Sequence, residues 1–166
     1  MKKTFYTIIV LILCASCAGG YSFTGASISP GTTTFSVDQF VNRASIVQPM
    51  LASEISTALI NKINSGTTLK SVNDDADISF KGTITSYGIT PVSIQGNDKA
   101  AKNRLTITVK VNCINKKDKK MNFEQNFTKF KDYDSGLALN DVEESLIKQI
   151  NEELVEDIFN KAFVNW

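Results

Sequence analysis

The 166 residues carry 18 Lys+Arg against 17 Asp+Glu, a formal net charge of +1, and include no histidine. Near-neutrality argues against a general nucleic-acid binder. The lack of histidine removes the commonest general base and the commonest metal ligand.

Residues 1–16 have the layout of an export signal. Lys2 and Lys3 make a positive start, and Ile8 to Leu13 form an apolar run. That run is too short for a permanent membrane span, which needs about 20 apolar residues. Small residues, Ala15 and Ser16, stand directly before Cys17. A lipoprotein signal peptidase requires that thiol, because diacylglycerol is attached to the sulfur before the cut. Cys14 competes, but Leu13 before it is too large for the cleavage pocket, so Cys14 takes the position three before the cut. Cys17 is therefore expected to be the lipid-bearing first residue, with a covalent diacylglycerol and acyl chain and no other cofactor. Loss of residues 1–16 leaves 150 residues with 16 basic and 17 acidic side chains, enough for one domain. Cys113 is then the only other cysteine, so no disulfide can form within the chain. It lies in an apolar alternation and reads as a small buried hydrophobe.

Residues 17–32 are small, Gly-rich and hydroxylated, a tether with Tyr21 and Phe23 as possible anchors onto a domain spanning 33–166. Residues 33–37 form a short β-favouring run. Pro49 suits a helix start, and Leu51, Ile55, Leu59 and Ile63 recur every four residues until Gly66, which reads as the stop. Asn73 to Asp75 is a turn. Ile78, Phe80 and Ile84 alternate with polar residues, then the phase slips: Tyr87 and Ile89 are odd-numbered, Val92 and Ile94 even. Gly88 and Pro91 predict a bulge or bend there, with Pro91 at an edge.

Residues 95–103 read as a polar loop. Leu105, Ile107, Val109, Val111 and Cys113 then alternate with polar residues as a strand with one buried face. Residues 115–120 make a hairpin turn. Met121, Phe123 and Phe127 continue on a partner strand ending near Phe130, and residues 132–136 read as a further turn. Asn140 with Glu143 resembles a capping box. Beyond it, the rows Val142, Leu146, Ile150, Leu154, Ile158 and Ile147, Val155, Phe159, Phe163 predict a long second helix. The order β-α-β-β-β-α predicts an α+β two-layer sandwich: two helices on one face of a four-stranded mixed sheet.

No Gly-rich phosphate loop is present. The acidic pairs Asp74-Asp75 and Asp132-Asp134 lack calcium-loop spacing and read as Asx-rich turns, not metal sites. Nothing resembles an active site, and no enzyme is expected. Charge is unevenly spread. Residues 141–161 hold seven acidic and two basic residues, a net of −5, and residues 99–131 hold ten basic and two acidic, a net of +8. The basic hairpin can meet phosphate or carboxylate groups on a lipid or partner. Equally, its lysines can serve only to solvate the sheet edge.

Several stretches are similar to one family. They are Cys17-Ala18-Gly19-Gly20-Tyr21-Ser22-Phe23-Thr24-Gly25, Asn42-Arg43-Ala44, Asp77 to Ile84, Asn103 to Val109, Phe123-Glu124-Gln125-Asn126-Phe127 and the terminal helix. Together they resemble the LptE-like lipopolysaccharide-assembly lipoproteins over essentially the whole mature chain. The resemblance implies the same fold. It also implies a plug seated in an outer-membrane β-barrel of the LptD type, assisting lipopolysaccharide transport and insertion from the periplasmic face. Lys99, Lys102 and Arg104 match best the basic residues implicated in lipopolysaccharide contact, with Lys129 and Lys131 as further candidates. The chain departs from better-known members in lacking an arginine at the start of its tether and in carrying basic charge on into Lys116 to Lys120. The competing expectation is a periplasm-facing lipoprotein that binds a small ligand or envelope polymer.

Overall fold

The computed structural model describes residues 26–92 and 101–164. The signal segment, Cys17, Tyr21, Phe23, Ile94 and Lys99 lie outside the described residues. The elements are β1 (Thr34–Val37), β2 (Val41–Asn42), α1 (Leu51–Gly66), β3 (Lys70–Ser71), β4 (Ile78–Val92), β5 (Lys102–Asn115), a 3₁₀ turn (Lys119–Met121), β6 (Phe123–Asp134) and α2 (Leu139–Phe163). The sheet order is β3-β1-β4-β5-β6, with β2 also against β4. β1 and β2 run parallel to β4, while β4, β5 and β6 are antiparallel. The two helices cover one face, so the α+β sandwich with a mixed sheet is the observed architecture. Its four principal strands are β1, β4, β5 and β6. β2 and β3 have two residues each, too short for alternation to show.

The core forms where helical and strand periods meet. Leu51, Ile55, Leu59 and Ile63 of α1 are fully buried, as are Ile150, Leu154 and Ile158 of α2. Each such side chain contributes about 1.5–3 kcal/mol of hydrophobic stabilisation. From the sheet, Leu105, Ile107, Val109 and Val111 are fully buried beneath them. Phe80 and Phe163 pack against each other toward one end of the core, with ring centroids 6.1 Å apart and planes tilted by 51°. Gly82 lies under Phe40, where a Cβ would come within 2.2 Å of the ring, so only glycine lets that ring close over β4.

Several local expectations give way to the structure. The register shift in β4 falls between Ile84 and Ser86, and pairing with β5 then continues unbroken through Gly88 and Pro91 to Val92. The extra residue at Thr85 leaves Thr85 and Ser86 both exposed and moves burial from Ile84 to Tyr87, and that is the phase slip seen in the sequence. Pro91 costs no ladder bond on the other side, because among the described residues β4 beyond Ile84 pairs only with β5. Gly66 does not stop α1 through a left-handed turn. It is the last helical residue, and a Cβ there would meet the Phe159 ring at 2.6 Å. α2 begins at Leu139 after Ala138, with no side-chain cap; Glu143 instead accepts a hydrogen bond from the Tyr87 hydroxyl. β6 runs on to Asp134 because Tyr133 keeps the inward phase opposite Asn103.

Candidate functional site

Strand directions give the molecule two ends. At the base stand Ile78, Asn115 and Phe123, and Ser27 N–H donates to the Phe163 carbonyl there (2.6 Å), so the described chain starts at this end. At the tip stand Val92, Lys102 and Asp134, and α2 begins close by, five residues after Asp134. The fourteen residues of β5 separate the ends by about 45 Å.

The basic hairpin of β5 and β6 divides by face. Even-numbered residues of β5 and β6 point to the open face of the sheet, away from the helices. There Arg104 makes a two-pronged bond to Asp132, Nε–Oδ1 2.7 Å and Nη2–Oδ2 3.0 Å, and lies 3.7 Å over the half-exposed Phe130 ring. The Asp132 carboxylate raises the Arg104 pKa, and the guanidinium in turn lowers that of Asp132. Lys110 pairs with Glu124 on the same face. Odd-numbered Lys129 and Lys131 point to the helical face instead, where Lys129 meets Asp157 (2.9 Å) and Lys131 meets Glu153. Near the base, Lys116 pairs with Asp75 (2.7 Å) and Lys117 with Asp77 (3.5 Å).

Much of the hairpin's basic charge is thus answered within the molecule, part of it by the acidic helix. Lys102, Lys119 and Lys120 are exposed and have no ion pair among the described residues. Of the sequence candidates, Lys102 and Arg104 come together at the tip, in β5 rather than in the preceding loop, because pairing with β4 already begins at Lys102. Lys129 and Lys131 lie on the opposite face of the hairpin, inside β6. Asp132 and Phe130 are partners that sequence reasoning missed. Asp132 reads as a turn residue, and only the pairing register sets it opposite Arg104.

Among the described residues no group of carboxylates or cysteines could hold a metal, and no helix is long and apolar enough to cross a membrane. The Cys113 thiol is buried, and burial pushes its pKa up to about 12, so it is a packing residue rather than a nucleophile.

No curated protein matches the chain. Among solved structures, a hypothetical protein from Chlamydia trachomatis is 9% identical with a TM-score of 0.55, over 79% of this chain and 98% of that one. Rare lipoprotein B from Shewanella oneidensis is 14% identical with a TM-score of 0.52, over 75% and 91%. A putative neuraminyllactose-binding hemagglutinin homolog from Helicobacter pylori is 8% identical with a TM-score of 0.52, over 86% and 89%. At such identities these likenesses show the fold alone. The family model described as LptE, lipopolysaccharide-assembly, matches residues 32–162, most of the chain. The chain therefore belongs to the LptE family of non-enzymatic lipopolysaccharide-assembly lipoproteins, which act at the outer membrane.

Proposed function

We propose that this protein is held on the inner leaflet of the outer membrane by lipid on Cys17 and seats as a plug in a β-barrel of the LptD type. There it assists assembly of the barrel and passage of lipopolysaccharide. The family match over residues 32–162 carries this reading. Two features support it. The described chain starts at the base, the end that a short lipid tether would hold toward the membrane. Lys102 and Arg104 stand at the far end, where they can meet lipopolysaccharide phosphates.

Affinity purification of a tagged copy in mild detergent should bring down a large outer-membrane barrel, with mass spectrometry showing a diacylglycerol thioether at Cys17. Recovery of the monomer alone across detergents would defeat the plug assignment. An unmodified thiol would defeat the anchor.

A further inference from the structure

The chain enters the domain across the base. Ser27 N–H donates to the Phe163 carbonyl at the end of α2 (2.6 Å), and the Ser29 hydroxyl donates to Asp118 Oδ2 (3.5 Å) beside the 3₁₀ turn. Each contact lies two residues from a lysine, and those two lysines, Lys161 of α2 and Lys120 of the turn, line one hollow. It measures about 140 Å³, room for a phosphate group, and Met121, Asn122 and Phe123 complete its lining.

Lys120 and Lys161 are exposed and have no ion pair among the described residues; Lys119, next in the turn, is alike. Like charges brought together from separate elements repel unless an anion joins them. The acids beside them are engaged. Asp118 Oδ1 accepts from the Lys120 N–H (3.0 Å), and Asp157, one turn before Lys161, meets Lys129 (2.9 Å). Carbonyls at the end of α2 would oppose an anion, but those of Asn160 and Phe163 are taken by the N–H groups of Val164 and Ser27. Asn122 adds a donor. Its Oδ1 accepts from the Asn115 N–H (2.7 Å), which leaves Nδ2 without a partner among the described residues.

Which anion meets this hollow follows from the length of chain before it. Eight residues, 18–25, separate Cys17 from Ala26, where the described chain starts. No conformation lets that stretch span more than about 30 Å. With lipid on Cys17, the bilayer surface therefore stays within that distance of the base. A lysine at an anionic surface gains about fivefold in affinity. Three lysines would hold a free protein only weakly, but they suffice to orient one that is already anchored.

We propose that the base is a docking surface for anionic phospholipid headgroups of the leaflet that carries the anchor. A headgroup phosphate enters the hollow between Lys120 and Lys161, accepts from Asn122 Nδ2 and has Lys119 beside it. The inference rests on lipid at Cys17 and goes beyond it, because docking of the base turns the tip, about 45 Å away, from the bilayer.

In the test, the mature lipid-bearing protein is reconstituted into vesicles of phosphatidylcholine, alone or with phosphatidylglycerol. Flotation with the neutral vesicles reports the anchor by itself. An uncharged amine-acylating reagent then reads each lysine, with mass spectrometry locating the label. Phosphatidylglycerol should slow labelling of Lys119, Lys120 and Lys161 about fivefold at low salt, and high salt should remove the difference. Lys102 should label equally on both vesicles. The double variant Lys120→Gln, Lys161→Gln should float as before, keep its melting temperature and lose the slowing at Lys119. Equal labelling of the base on both vesicles would overturn the proposal, as would equal slowing of Lys102, which marks attraction without orientation. Slowing that requires lipopolysaccharide in the vesicle would overturn phospholipid as the occupant. A protein that does not float defeats the anchor, and the docking surface with it.

Discussion

Asp77 ties the first strand to the fourth. Its Oδ2 accepts from the Thr33 N–H (2.8 Å), the Thr34 N–H (3.2 Å) and both threonine hydroxyls, while Lys117 Nζ lies 3.5 Å from Oδ1. The Thr33 N–H contributes most to holding this carboxyl well below the usual carboxylate range, with Thr34 adding to it and burial opposing. A carboxyl lowered on folding stabilises the protein above its unfolded value, near 3.9, and that contribution is lost as pH falls toward the folded value. The melting temperature is therefore expected to fall below about pH 4. Asp77→Asn, which keeps an acceptor but no charge, should melt lower at pH 7 and show a shallower acid limb. Parallel acid limbs for the two proteins would assign the transition to other groups. The residue was legible in the sequence only as part of a β-region motif, because its partners stand 43 and 44 positions away. Cys113 shows the opposite case: neighbours in the same strand suffice to mark it as buried.

The elements were legible where one period runs long enough. Both helices and the strand from Leu105 to Cys113 follow from spacing alone, and each buries the stripe that the spacing defines. Where the period changes, the slip could be seen but was placed too late, at Gly88 and Pro91, because any residue between Ile84 and Tyr87 can carry the bulge and only pairing with β5 decides. Faces were harder still. Lys129 and Lys131 share the inward phase with Phe127 and Tyr133, yet a lysine stem can lie under a helix while its ammonium reaches the helix flank. Their pairs with Asp157 and Glu153 are partly exposed, the lysine side chains at 29% and the acids above 40%. The double substitution Lys129→Ala, Lys131→Ala is thus expected to cost about 1 kcal/mol or less, and less again in high salt. Urea unfolding at two ionic strengths measures this. A loss of several kcal/mol, insensitive to salt, would place the contribution in stem packing rather than charge.

Across the whole molecule, the uneven charge of the sequence resolves into internal pairing plus a few unanswered groups. Basic hairpin and acidic helix meet along the β6–α2 seam, so the large local sums overstate what a partner encounters. On the hairpin, Lys102 at the tip and Lys119 and Lys120 at the base have no ion pair among the described residues and remain for an outside anion. The five lipopolysaccharide-contact candidates therefore should not behave alike. With about 1 kcal/mol for each lysine at an anionic surface, Lys102→Ala should weaken binding to lipopolysaccharide about fivefold at low salt. The pair Lys129→Ala, Lys131→Ala should change it by less than about twofold, since those ammonium groups are already engaged. Arg104→Ala should weaken binding and also lower stability, because it removes a partner from both Asp132 and Phe130. The control is Lys119→Ala, Lys120→Ala, which lies about 45 Å from the tip and should leave binding unchanged if the tip is the contact. Titration of each purified variant with lipopolysaccharide at two salt concentrations reads all four outcomes. A loss confined to the base pair of lysines would reverse the orientation, bringing the tethered end to the lipopolysaccharide and leaving the tip for the barrel.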